Sequence, residues 1–93
     1  MLTRGDLRLD SGRREVTRTG RELVLNPKEF AVLEILLGAD GAVVSSEQLL
    51  ERVWDEHADP FSQAVKTTMS RLRAKLGSPP VIVTVAKSGY RIA

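Results

Sequence analysis

Residues 26–37, NPKEFAVLEILL, constrain the fold of this chain more than any other stretch. Asn26 is a strong helix N-cap, Pro27 suits the first helical position, and Glu29 stands where a capping-box acid reaches back. The helix they start carries Phe30, Val32, Leu33, Ile35, Leu36 and Leu37, which wrap most of its circumference. A helix apolar on most sides is buried on most sides, so the remaining elements must surround it like walls around a pillar. Gly38 and Gly41 end it. With 93 residues there is room for one compact domain and only partial burial.

The flanking segments supply the walls. Leu7–Asp10, Glu15–Arg18 and residues 22–25 read as three short strands, joined by the turn-like SGRR and TGR. Strands this close in sequence pair as an antiparallel meander. Leu7 and Leu9 alternate with polar residues, and Leu23 and Leu25 flank Val24, so one face is half-buried. AVV at 42–44 reads as a brief strand. SSEQLLERVW starts a second helix, with Ser45 as cap and Gln48 three residues on. Leu49, Leu50, Val53 and Trp54 form its apolar stripe. DEHADP is a loop, Asp59 with Pro60 caps a third helix, and Gly77 stops that helix after Leu76. VIVTVA is a β-branched strand, KSG a turn in which Gly89 supplies the positive φ, and YRIA the return strand. The fold class is therefore α+β, one domain over 1–93: an N-terminal antiparallel sheet (1–25), three helices (26–77) and a C-terminal β-hairpin (80–93).

Charge is distributed unevenly along these elements. Residues 1–25 hold six arginines against four acids, residues 26–59 two cations against eight acids, and residues 60–93 six cations and no acid. The net charge of +2 hides this change of sign. An acid-free basic third points to a polyanionic partner.

The third helix shows how such a partner would be met. On a helical wheel Val65, Met69, Leu72 and Leu76 share a narrow arc, the core face. Gln63, Thr67, Ser70, Arg71 and Ala74 lie opposite, with Lys66 and Arg73 on one shoulder and Lys75 on the other. Small side chains let a helix approach closely, while Gln, Thr, Ser and Arg can hydrogen-bond base edges. Cations on the shoulders would meet phosphates on the walls of a major groove, about 12 Å wide. A solubilising surface helix would mix signs for i, i+4 pairing, and this one carries no acid. Two helices and a hairpin in this order fit a winged helix-turn-helix, with the hairpin as wing. Lys87 stands at the wing turn, near Thr84, Ser88 and Arg91, and the Tyr90 hydroxyl is placed to reach a phosphate.

Other function classes find less support. The chain has no cysteine, which excludes disulfides and thiolate zinc sites and fits a cytoplasmic location. No apolar run has membrane-spanning length. Asp55, His57 and Asp59 have the residue types of a metal cluster, but no fourth ligand accompanies them. No phosphate loop or nucleophile motif is present, so neither catalysis, metal nor cofactor is expected. Readers of single-stranded RNA need exposed aromatics, and this chain has only Phe30, Trp54, Phe61 and Tyr90.

Four motifs, LNPKEFAVLEILL, VVSSEQLLERVW, SRLRAKL and TVAKSGYRI, together cover most of the chain. On them the sequence resembles the DNA-binding effector domain of OmpR/PhoB-type response regulators. The resemblance implies a fourth N-terminal strand that pattern alone does not reveal. It implies double-stranded DNA as partner, with paired domains on direct-repeat half-sites, and a monomer off DNA. A receiver domain and a sensor histidine kinase belong to the full-length family member, and the receiver is not in this sequence. The chain is thus expected to be an effector domain without its receiver; the alternatives are a stand-alone winged-helix regulator or a protein-interaction module. The resemblance also marks the loop between the second and third helices as a contact for RNA polymerase, here through Asp55 and Glu56. The family pattern has Asp, Val and His after the first Val of its recognition helix, where this chain has Lys66, Thr67 and Thr68. The family wing reads Arg-Gly-(Val/Thr)-Gly-Tyr; here Ala86 replaces the arginine and Lys87 follows it.

Overall fold

A computed structural model describes residues 1–54 and 63–93. Four strands open the chain: β1 (Leu2–Arg4), β2 (Leu7–Asp10), β3 (Glu15–Arg18) and β4 (Arg21–Leu23). They form an antiparallel sheet in sequence order. Leu9 faces Val16 across β2 and β3, and Val16 faces Leu23 across β3 and β4, so the apolar residues share one face. The sheet differs from pattern reading at both edges. β1 pairs Leu2 with Leu9 and Arg4 with Leu7, and β4 is Arg21–Leu23, ending before Val24. Val24, 84% exposed, has neither a partner strand nor a core to face.

Helix α1 (Pro27–Gly38) is the pillar. Asn26 caps it: its side chain accepts from the Glu29 N–H, and the Glu29 carboxylate accepts from the Asn26 N–H. Phe30, Val32, Leu33, Leu36 and Leu37 are buried, and α1 packs on β1, on the wing and on both other helices. Helix α2 (Ser46–Val53) starts with the same device between Ser45 and Gln48. Helix α3 (Ala64–Leu76) follows, then the hairpin of β5 (Ile82–Val85) and β6 (Gly89–Ile92).

Three local expectations change. Gln63, with φ −85° and ψ 7° and no side-chain cap, precedes the first turn of α3, so α3 begins at Ala64 rather than beside Pro60. The Asp59 cap lies outside the described residues. The strand at 42–44 reduces to one residue: Val44 exchanges backbone hydrogen bonds with Tyr90 at 2.8 and 2.9 Å, while Ala42 and Val43 stay exposed. The wing turn differs in part: Lys87 also takes the left-handed conformation at φ 63°, while Gly89 has the expected positive φ, 142°, but already belongs to β6. Gly89 is required for a second reason: a Cβ there would lie 2.2 Å from the Val44 carbonyl oxygen.

Candidate nucleic-acid interface

Helix α3 presents two faces, as its wheel predicts. Val65, Met69, Leu72 and Leu76 are buried against α1 and α2. Lys66, Thr67, Ser70, Arg71, Ala74 and Lys75 are exposed, with Gln63 just before them. The three hydroxyl- and amide-bearing positions, Gln63, Thr67 and Ser70, thus lie on one solvent-facing stripe with Arg71. Among the described residues Lys66, Arg71 and Lys87 make no hydrogen bond or ion pair, so their charges are available.

The other cations of this region are already engaged. Lys75 Nζ donates to Glu29 Oε1 at 2.6 Å. Arg73 donates to the Thr84 hydroxyl at 2.5 Å and to the Ile82 carbonyl at 3.3 Å, and its guanidinium lies 5.7 Å from the Tyr90 ring centroid. Arg73 is half-buried, and its contacts set the wing beside α3. Tyr90 is 8% exposed, its ring part of the core. An open cleft of about 500 Å³ separates the start of α2 from the wing, lined by Ser45, Ser46, Thr84, Lys87 and Ser88, with Glu47 on the α2 side.

The last turn of α3 is fixed from three directions. Lys75 ties it to α1 and Arg73 to the wing. The third tie is Arg18, an inward-pointing residue of β3 that is only 8% exposed. Its Nη1 donates to the carbonyls of Leu76 at 2.8 Å and Gly77 at 3.1 Å, and its Nη2 to that of Pro79 at 2.5 Å. Asp6 faces its Nε at 3.4 Å and accepts from the Thr19 hydroxyl at 2.8 Å. The Thr19 hydrogen bond is the main cause that lowers the Asp6 pKa; desolvation opposes it, and the Arg18 charge and hydrogen bond lower it further.

The sequence model described as "Transcriptional regulatory protein, C terminal" matches residues 20–92. The transcriptional regulatory protein CutR of Streptomyces coelicolor is 61% identical over 92 residues, which is 99% of this chain and 42% of CutR. The chain belongs to this family. The same architecture is seen in the DNA-binding domain of CpxR from E. coli, with a TM-score of 0.87 and 34% identity over 98% of this chain and 93% of that one. The DNA-binding domain of Klebsiella pneumoniae RstA, solved in complex with the RstA box, gives 0.88 at 29% identity, covering 99% and 95%. The chain is an OmpR/PhoB-type effector domain with the winged helix-turn-helix fold, and it spans 42% of the length of the curated relative named above.

Within this effector domain, α2 and α3 are the helix-turn-helix and β5–β6 the wing. Asp55 and Glu56, the residues expected to meet polymerase, lie outside the described residues, as do His57 and Asp59. Among the described residues no group of His, Cys, Asp or Glu could hold a metal ion. No described helix is long and apolar enough to cross a membrane. Sequence reasoning missed the role of Arg18. A signal was available: in EVTR the β alternation puts Arg18 on the same face as Val16, and a charge facing a core needs partners.

Proposed function

We propose that this effector domain binds double-stranded DNA sequence-specifically and regulates transcription, with α3 in the major groove and the wing beside it. The carrying observation is the exposed face of α3, which joins Lys66 and Arg71, both unpaired among the described residues, to Thr67 and Ser70 and bears no acid. Arg71 is assigned a guanine edge, and Gln63, Thr67 and Ser70 neighbouring base edges or phosphates. Lys66 and Lys87 are assigned phosphates. Arg73, Thr84 and Tyr90 form the junction of α3 and wing, whose outer edge borders the groove. Lys75 contributes chiefly as a structural ion pair and adds positive potential.

The RstA domain solved with its box supports this reading by fold and family. By the same family membership the domain would act in the cytoplasm downstream of a receiver and a sensor kinase, without catalysis of its own. It would pair on direct-repeat half-sites, and Asp55 and Glu56 would face RNA polymerase.

The test is selection of bound duplexes from a random pool, followed by a salt titration. With about three to five phosphates contacted, log affinity should fall with log salt at a slope of about 2.7–4.5. A flat response and an unenriched pool would rule the reading out.

A further inference from the structure

The carbonyls that close α3 are satisfied in an unusual way. A helix leaves its last four carbonyls without intrahelical donors, and water or a local glycine motif commonly serves them. Here a nearly buried guanidinium from β3 reaches the last of them, that of Leu76, and with it the Gly77 and Pro79 carbonyls just beyond the helix, across sequence separations of 58, 59 and 61 residues. The position suits the negative end of the helix dipole. The planar fork of arginine matches several acceptors at once, which a lysine ammonium does not. Asp6, itself held by the Thr19 hydroxyl, faces the fork from behind.

We propose that Arg18 is a positioning residue for base readout: it touches no DNA, and it fixes the pivot of α3 to the N-terminal sheet so that the exposed face of α3 enters the groove at one angle. The inference rests on the DNA-binding reading above. Base edges demand placement to within about 0.5 Å, because each hydrogen bond has a fixed direction. Phosphates repeat along the duplex and accept flexible cations over a range of positions. A pivot that drifts therefore costs sequence discrimination before it costs general affinity. Lys75 and Arg73 still hold the same turn when Arg18 is changed, so α3 stays docked on the core but less strictly oriented.

The test compares the 93-residue chain with Arg18→Met and Arg18→Lys on two duplexes. One is a duplex selected by the native chain from a random pool, the other a scrambled duplex of the same composition. Arg18→Met should lower affinity for the selected duplex about tenfold and change the scrambled one less than about twofold. The salt slope on the scrambled duplex should not change, because no phosphate contact is lost. Arg18→Lys should fall between native and Arg18→Met. Should Arg18→Met not fold, Arg18→Lys and Asp6→Asn carry the same comparison, each expected to lose discrimination. Equal losses on both duplexes would show a merely structural role, and unchanged discrimination would show none; either overturns the inference while native discrimination keeps the DNA reading intact. A native chain that discriminates nothing overturns both.

Discussion

Lys75 Nζ lies 2.6 Å from Glu29 Oε1, and the two residues differ sharply in exposure: Glu29 is 1% exposed and Lys75 41%. The same oxygen accepts the Asn26 N–H of the α1 capping box, and Oε2 of Glu29 has no partner among the described residues. One carboxylate thus starts α1 and anchors the end of α3. Lys75 neutralises a charge that burial would otherwise make costly.

Lys75→Met should therefore destabilise the domain by about 1–3 kcal/mol, less than the roughly 3–5 kcal/mol of a fully buried broken pair because Lys75 is partly solvated. The double variant Glu29→Gln with Lys75→Met should be less damaged than the sum of its parts. Urea unfolding of the four proteins checks this. Additive losses would show that the pair has no coupling.

Gly89→Ala should loosen the wing. Its φ of 142° is unfavourable for an alanine, and the new Cβ would meet the Val44 carbonyl at 2.2 Å. The paired backbone of Val44 and Tyr90 would have to separate, at a cost of about 2 kcal/mol or more. Hydrogen exchange of the Val44 and Tyr90 amides should accelerate ahead of the amides in α1.

Much of this molecule is legible from its sequence, and the boundary of legibility is physical. The capping boxes at Asn26 and Ser45 are local, closed within three residues, and the core face of α3 follows from periodicity alone. β1 offers a single apolar residue, Leu2, paired to Leu9, so no alternation announces it. The commitments of Lys75, Arg73 and Arg18 depend on partners brought together only by folding. Counting charges made Lys75 and Arg73 look as available as Lys66 and Arg71, and the structure separates the two pairs.

Acid should weaken the Asp6 clamp. Its carboxyl is held below its ordinary value, chiefly by the Thr19 hydroxyl and then by Arg18. A depressed carboxylate contributes stability above its unfolded pKa, near pH 4, and loses it as pH falls through the folded value. Asp6→Asn should be less stable than native at neutral pH, and the two should converge as pH drops below about 4. A gap that persists at low pH would assign the effect to packing.

Lys87 should act on affinity without sequence preference. It sits exposed at φ 63° with no acid partner among the described residues. Lys87→Asn is the cleaner variant, since asparagine tolerates this backbone conformation. It should weaken every duplex and lower the salt slope by about one contact. A loss confined to one sequence would make Lys87 a base reader.

Arg71→Ala and Lys66→Ala should separate reading from holding. Arg71→Ala should cost about 1–3 kcal/mol on the selected duplex and relax one base position. Lys66→Ala should weaken selected and scrambled duplexes alike.

The claim that α3 and the wing form the DNA-binding face is tested most directly by titrating the labelled domain with a selected duplex and following its amide resonances. The largest shifts should fall on Lys66, Thr67, Ser70, Arg71 and Lys87, with Thr3, Arg8 and Glu22 of the N-terminal sheet nearly still. Shifts concentrated on the sheet, with α3 unmoved, would contradict it.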